Sequence, residues 1–260
     1  MPGQRLDAII RGGGRKMVRL AAVPLGVFVV VLGMAACEGS APPPSSSEPS
    51  ASSPTVSPSA GVTGEIVDLP TPRTDSDVSL EEALVTRRSV REFTDEPLTT
   101  RQISQLLWAA QGITADWGGR TAPSAGALYP LEVYVVTREG VSHYLPEGHR
   151  LQSLGRTDLR APLADAALGQ TAVSDAPAVF VIAAVYARTT EKYEDRAERY
   201  VQMEAGHACQ NLLLEAVALG LGAVPMGSFS DAEVVRTLGL PAGQTPLYLV
   251  PVGHSAEEPD

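Results

Sequence analysis

Cysteine is scarce in this sequence: Cys37 and Cys209 are the only two among 260 residues. Cys37 follows an apolar N-terminal run, which leaves Cys209 as the only cysteine in the part expected to fold. A single cysteine excludes an intradomain disulfide, so stability must come from a hydrophobic core or from a partner chain. Apolar residues make up 44% of the sequence, which is enough for one sizeable core.

Basic side chains are also in short supply. The sequence has 20 Lys and Arg against 30 Asp and Glu, and its formal net charge is −10. Because such a protein repels a phosphate backbone, the composition argues against a nucleic-acid partner. We find no internal repeat, which argues against a repeat architecture.

The N-terminal region concentrates part of this basic charge. Five basic side chains lie in residues 1–36, ahead of the apolar run from Leu20 to Ala36. This order is typical of an export signal. The end of the run, Leu32–Cys37, resembles a bacterial lipobox, although Met34 replaces the usual Leu. We expect residues 1–36 to be a lipoprotein signal peptide and Cys37 to be lipidated and to anchor the chain to a membrane. The alternative is an uncleaved membrane anchor, for which the run is short against the roughly 20 residues of a span.

A segment rich in Ser and Pro follows. From Glu38 to about Gly64 it contains almost no large apolar residue, so it cannot bury enough surface to fold. We therefore expect residues 37–76 to comprise the lipidated cysteine and a disordered tether. Residues 77–260 are expected to form one folded domain outside the cytoplasm.

Hydrophobic periodicity and capping residues predict the elements of this domain. The expected helices are Val78–Leu84 with Ser79 as N-cap, one beginning at Thr99 or Thr100, Leu154–Leu168, Tyr200–Leu219, and Asp231–Leu238 with Asp231 as cap. The expected strands are Leu131–Thr137, one beginning near Ser142, Ala178–Tyr186 and Pro246–Val252.

The segment Arg120–Pro130 is the most informative loop. Two prolines bracket a run of small residues, and a strand follows at once. Ser124 and the backbone near Gly126 can donate hydrogen bonds, while Leu128 and Tyr129 offer apolar surface. A flat ligand with a polar edge would suit this loop, although an ordinary Gly/Pro loop has a similar composition.

Two further segments carry polar side chains close together. Three arginines and a serine lie within residues 87–91 and could bind a phosphate, because guanidinium groups fork onto its oxygens. A solvated charged face is the alternative. On the helix Tyr200–Leu219, a polar stripe must meet water, a partner subunit or a ligand. Its His207 could act as an acid or base, or make a structural hydrogen bond. The stripe consists of Tyr200, Glu204, His207 and Asn211.

These segments resemble the nitroreductase superfamily of flavoproteins, specifically its SagB-type dehydrogenase branch. The matching runs are R-R-S-V-R-x-F, W-A-A-Q-G-I, P-S-A-G-x-L-x-P-x-E, R-Y-x-x-x-E-A-G-H-x-x-Q-N-L and G-L-G-x-V-P-x-x-x-F, in the family's order over about residues 78–254. The resemblance implies an α+β fold: a nitroreductase-like FMN-binding sandwich whose central, mostly antiparallel sheet is flanked by helices. It also implies a homodimer with one FMN at each of two subunit interfaces.

The resemblance assigns cofactor contacts to three segments. We expect phosphate binding to rest on the arginine cluster, since this sequence has acidic Glu257–Asp260 where many relatives continue to basic residues. In the last segment, the backbone N–H groups of Gly227 and Ser228 would approach flavin N5 and O4. The implied contacts are Arg87 and Ser89 to the phosphate and ribityl end, Arg88 beside them, Arg91 to the flavin pyrimidine, Pro123, Ser124, Ala125, Gly126 and Leu128 against the ring, and Pro225, Met226, Gly227 and Ser228.

Lys192 and Tyr193 match a pair implicated in catalysis in azoline-oxidising members of the branch. Such a side chain beside the flavin could remove the proton that accompanies hydride transfer. A solvated loop pair is the alternative.

The function expected from the resemblance is an exported, membrane-tethered FMN-dependent oxidoreductase. It would transfer hydride between flavin N5 and a small-molecule or peptide substrate. One alternative is an exported nitro- or quinone-reductase. Another is a non-catalytic lipoprotein that binds flavin or another ligand.

Overall fold

The computed structural model describes residues 64–256. The predicted signal peptide, Cys37 and most of the predicted tether lie outside the described residues. The first strand, Ile66–Asp68, pairs with residues 150–152 of the central sheet. The predicted boundary between tether and domain at residue 77 is therefore too late, because chain assigned to the tether belongs to the sheet.

One seven-stranded sheet forms the centre of the described domain, and all pairs of neighbouring strands run antiparallel. Its order is β1-β4-β3-β2-β5-β7-β6. Together with helices on both faces, this confirms the predicted α+β class. The strands are β1 Ile66–Asp68, β2 Leu131–Thr137, β3 Gly140–Leu145, β4 Arg150–Gly155, β5 Ala178–Val185, β6 Gly222–Ala223 and β7 Gln244–Gly253.

Three of the helices begin at a residue whose side chain accepts a hydrogen bond from one of their first N–H groups. Ser79 accepts a hydrogen bond from the N–H of Glu82, and Thr99 forms a reciprocal capping box with Gln102. The helices are α1 Leu80–Thr86, α2 Thr100–Gln111, α3 Arg160–Ala166, α4 Thr171–Asp175, α5 Ala187–Tyr193, α6 Ala197–Ala218 and α7 Asp231–Leu238.

The core has two layers because the central strands are buried on both faces. Phe180 and Ile182 of β5 pack with α2 and α6 on one face, and Val179 and Val181 pack with α3, α4 and α7 on the other. Each fully buried side chain of this size contributes roughly 1.5–3 kcal/mol. The continuous apolar pattern of β5 thus predicts its environment correctly.

Two predicted elements differ in the structure. Residues 154 and 155 end β4, and only Arg160–Ala166 of the predicted helix Leu154–Leu168 is helical. Pairing with β3 holds this segment extended, which an apolar pattern alone does not reveal. Ser230, rather than Asp231, is the N-cap of α7, since its hydroxyl accepts from the N–H of Glu233.

None of the helices within residues 64–256 is both long enough and apolar enough to cross a membrane.

Candidate functional site

The loop Pro123–Leu128 has a strained backbone. Gly126 has a φ of 63°, and Ala127 and Tyr129 also have positive φ values of 55° and 46°. Residues other than glycine seldom occupy this region, at a cost of roughly 1–3 kcal/mol each. Ser124 Oγ accepts a hydrogen bond from the N–H of Tyr129 at 2.9 Å, which ties the start of the loop to its end.

The predicted flavin contacts of this loop are at least partly accessible. Its backbone could therefore meet a ligand without rearrangement of the core. Pro123 and Gly126 are exposed, and Ser124, Ala125 and Leu128 are half-buried.

Lys192 and Tyr193 lie directly against the same loop. A Cβ added to Gly126 would come within 2.9 Å of both Lys192 Nζ and the Tyr193 hydroxyl. Tyr193 packs edge-on against Tyr200 with the ring centroids 5.0 Å apart, and Lys192 Nζ lies 5.5 Å from the Tyr193 ring centroid. The fold therefore brings together the glycine loop and the candidate catalytic pair, two segments far apart in sequence.

The Glu204 carboxyl is buried beneath this loop. Glu204 is 2% exposed and hydrogen-bonded to Ser124, and its Oε1 has no partner in residues 64–256. Burial raises the pKa of Glu204 to about 7, against the lowering effects of the Ser124 hydroxyl and the Arg120 charge. A carboxyl that titrates near neutrality can hold or release a proton beside the loop.

Arg87 and Arg88 line a cavity of about 490 Å³ near the C-terminal end of α6. His254 lines the same cavity. Arg88 Nη1 donates to the carbonyls of Val85 and Arg87 at 3.0 and 2.9 Å, so part of its guanidinium is held by the backbone. The site combines positive charge with hydrogen-bond donors, as a phosphate requires.

Ser89 and Arg91 flank this cavity and are exposed. Ser89 forms a parallel bridge with Ala223, and the N–H of Val90 donates to the Ala223 carbonyl at 3.1 Å. A Cβ at Gly222 would lie 2.7 Å from the Val90 side chain, so glycine allows this close approach. The arginine cluster is thereby attached to the strand that leads into the last predicted cofactor segment.

The residues of that segment, Pro225–Ser228, differ from one another in how deeply they are buried. Met226 is buried in the core, and its backbone exchanges two hydrogen bonds with Leu249 at 2.8 and 3.0 Å. Gly227 and Ser228 are exposed, and within the described part of the chain neither backbone N–H has a hydrogen-bond acceptor. Both N–H groups are free to meet a ligand, while Pro225 is half-buried.

Helix α6 separates the glycine loop from the arginine cluster. Ser124 bonds to Glu204 in the N-terminal part of α6, whereas Arg87 shares its cavity with Val217 near the other end. A rise of about 1.5 Å per residue puts positions 204 and 217 roughly 20 Å apart. The two groups of residues that the resemblance assigns to the cofactor therefore lie near different parts of α6 within one chain.

The residues of the predicted polar stripe on α6 lie in different environments. Glu204 is buried and His207 is exposed, while Asn211 Nδ2 donates to the Thr121 carbonyl at 3.3 Å. Sequence reasoning also misses His254 at the arginine cavity. In the sequence, only its position just after the apolar closing strand points to a role for His254. The end of a strand can bring the chain back to a binding site.

Comparisons with known proteins place the chain among its relatives. The model of the nitroreductase family matches residues 84–254. A protein of Methanocaldococcus jannaschii, named only provisionally as a nitroreductase, is 44% identical over 75% of this chain and 100% of its own length. The NADPH-flavin oxidoreductase of Vibrio harveyi is 26% identical over 69% of this chain and 67% of its own.

Two further proteins are similar to this chain. The microcin B17-processing protein of Escherichia coli is 28% identical over 55% of this chain and 57% of its own. A crystal structure from Ralstonia eutropha, also named provisionally as a nitroreductase, superposes with a TM-score of 0.68 at 31% identity over 76% of this chain and 93% of its own. From the fold, the family match and these relatives, the chain belongs to the nitroreductase family.

Proposed function

We propose that this protein is an FMN-dependent oxidoreductase whose flavin lies between two copies of the chain. The observation that carries the proposal is the contact of Lys192 and Tyr193 with Gly126 in the glycine loop. A flat ring on that loop would be within reach of an ammonium and a phenol group. When bound, FMN supplies the N5 atom that accepts or donates hydride.

The residues present fit this cofactor. Arg87, Arg88 and His254 would hold the phosphate in the cavity near the end of α6. The free N–H groups of Gly227 and Ser228 would stabilise negative charge on the ring.

The proposal of two copies is supported by the separation of these two groups of residues along α6. It is also supported by α1, whose exposed side chains include Leu80, Leu84 and Val85 at 61%, 54% and 66% exposure. Exposed apolar patches of this kind mark interfaces. A partner chain would cover them and bring its glycine loop toward the arginine cluster.

Lys192 or Tyr193 would move the proton that accompanies hydride transfer. Their position favours a SagB-type dehydrogenase acting on a small molecule or a peptide, and the similarity to a microcin-processing protein points the same way. Efficient turnover with NAD(P)H and a nitro compound or quinone would favour the reductase alternative. Flavin that binds but is not cycled by any donor and acceptor would favour the non-catalytic one.

We further propose that the protein is exported and lipid-anchored through Cys37. The support is the N-terminal sequence alone: a basic segment, an apolar run and a lipobox-like end. Outside the cytoplasm, soluble nicotinamide cofactors are scarce, which favours a substrate or a membrane redox partner as the electron source.

A mixed dimer tests whether the site is shared between chains. One chain carries Arg87→Ala and Arg91→Ala, and the other carries Ala125→Trp, which fills the space over the loop. Each homodimer should bind no FMN. The heterodimer should bind one FMN per two chains, because one of its sites receives both changes and the other receives none.

Flavin absorbance of the separately tagged heterodimer is the measurement. A heterodimer without flavin would show that each site is built from one chain. Homodimers that keep their flavin would show that these residues do not form the site.

A further inference from the structure

Helix α5 meets the glycine loop at two points about one helical turn apart. Near the C-terminal end of α5, Lys192 and Tyr193 occupy the space beside Gly126. Near its N-terminal end, Arg188 Nη1 donates to the carbonyl of Tyr129, directly after the loop, at 3.1 Å. Residues four apart lie on the same face of a helix, so Arg188 and Lys192 face the loop together. The face of α5 that carries the candidate catalytic pair is therefore also bonded to the end of the loop.

The backbone of Tyr129 depends on such contacts. Its φ of 46° lies in the left-handed region, which an aromatic residue seldom adopts. Its N–H donates to Ser124 Oγ at 2.9 Å and its carbonyl accepts from Arg188, so both backbone polar groups are bonded. Its hydroxyl accepts from the N–H of Arg120 at 3.3 Å. A strained conformation persists where its surroundings over-determine it, and Arg188 supplies the contact that comes from another element.

Arg188 is in turn oriented by a carboxylate. Its Nη2 donates to Glu132 Oε1, and the other oxygen of Glu132 accepts from His143 Nε2 at 2.6 Å. Burial raises the pKa of Glu132, but the hydrogen bonds from His143 and Arg188 and the charge of Arg188 outweigh it, so that this pKa lies below its ordinary value. Glu132 is therefore ionised near neutral pH. It holds one nitrogen of the guanidinium while the other nitrogen reaches Tyr129.

The exposure of the pair indicates what it does. The Arg188 side chain is 42% exposed, whereas that of Glu132 is 13% exposed. An ion pair with so exposed a partner adds little to global stability. A guanidinium that bridges two fixed acceptors does, however, set a geometry, because its nitrogens form a rigid planar fork. The consequence of the bridge is therefore local: it fixes where α5 lies against the loop.

We propose that Arg188 is a positioning residue for the FMN site. Its two nitrogens join Tyr129 to Glu132 and thereby hold α5, with Lys192 and Tyr193, in register with the glycine loop. This inference rests on the proposed function for the identity of the ligand. The attachment of α5 to the loop can be measured without any flavin.

Hydrogen exchange of the purified protein without FMN, followed by mass spectrometry of its peptides, tests the attachment. In Arg188→Met, exchange should become about tenfold faster in residues 123–130 and 187–193, because both segments lose the contact that joins them. Exchange elsewhere in the domain should match that of the parent. Unchanged exchange in both segments, or faster exchange throughout the domain, would overturn the proposal.

Two further variants make the test specific. Arg188→Lys keeps a charge beside Glu132 but has one nitrogen where Arg188 uses two, so exchange should rise by about threefold, between the parent and the methionine variant. It also decides the question if the methionine variant does not fold, since parent-like exchange in the lysine variant would refute the need for two nitrogens. Arg156→Met is the control, because Arg156 is 86% exposed and pairs with exposed Glu65 at 3.8 Å. Equally fast exchange of the same two segments in this control would refute a specific role of Arg188.

A fluorescence titration with FMN connects the attachment to the cofactor. Arg188→Met should bind FMN about tenfold more weakly than the parent, because the loop and α5 must then be ordered on binding. Equal affinity of the two proteins would refute the positioning role. A parent protein that binds no FMN would refute the proposed function instead, and the exchange data would still decide whether Arg188 holds α5 against the loop.

Discussion

At the scale of single residues, Gly126 is the position where backbone and site meet. Its φ of 63° favours glycine, and Lys192 and Tyr193 occupy the space that a Cβ would need. We expect Gly126→Ala to lower the free energy of unfolding by about 1–2 kcal/mol. Chemical denaturation measures this change.

Gly155→Ala is the matched control, because nothing lies within 4 Å of its added Cβ and its φ is not in the left-handed region. It should change stability by less than about 0.5 kcal/mol. Equal effects of the two substitutions would show that neither the left-handed φ of Gly126 nor its contact with Lys192 and Tyr193 has energetic weight.

The buried carboxyl of Glu204 should make the stability of the fold depend on pH. Its pKa in the folded protein is raised to about 7 by burial, from 4.5, so the folded state binds the proton more tightly than the unfolded state does. The ionised carboxyl therefore destabilises the fold increasingly as pH rises from about 4.5 to 7. Above that range the penalty is constant, at roughly 3 kcal/mol as an upper limit.

Glu204→Gln removes this ionisation while keeping the shape of the side chain. The variant should be more stable than the parent at pH 8, and the difference should shrink toward zero near pH 4. Denaturation of both proteins across that range is the measurement. A stability difference that does not vary with pH would contradict the assignment.

At the scale of elements, the capping box of α2 shows how local sequence fixes a helix start. The N–H of Gln102 donates to Thr99 Oγ1 at 3.2 Å, and the N–H of Thr99 donates to Gln102 Oε1 at 2.8 Å. Thr99→Ala should cost about 1 kcal/mol of stability. Exposed Thr100 is the first residue of the helix and caps nothing, so Thr100→Ala should be close to neutral. Thermal melting of both variants is the measurement. A cost shared equally by both would rule out the cap as the cause.

Elements with strong local signals could be predicted from the sequence, and those that depend on distant partners could not. The bounds of β2 follow from its run of Val and Tyr directly after the loop, and capping chemistry limits the cap of α2 to Thr99 or Thr100. The three exposed residues of β1 carry no such signal, since only pairing with β4 makes them a strand. Leu154 has the apolar character of a helix residue, yet it lies in β4 because β3 pairs there.

The same distinction holds for the site. Gly126 and Lys192 could each be singled out from local motifs, but their contact depends on the packing of the loop against the end of α5. The burial of Glu204 likewise depends on Ser124, far along the chain.

At the scale of the whole molecule, the N-terminal prediction has a direct test. If Cys37 is lipidated, Cys37→Ser should move the protein from the membrane fraction to the soluble fraction of its host. Cys209→Ser is the control, because Cys209 is buried in the folded domain and should not affect fractionation. Membrane retention of the Cys37 variant would contradict a lipid anchor.

In the proposed function, two copies of the chain bind FMN between them. The most direct test is a titration of the purified protein with FMN, in which the visible absorption spectrum is recorded together with the mass in solution. We expect a yellow species with twice the mass of one chain and one FMN per chain. A colourless protein that takes up no FMN, or a monomer that retains the flavin, would contradict it.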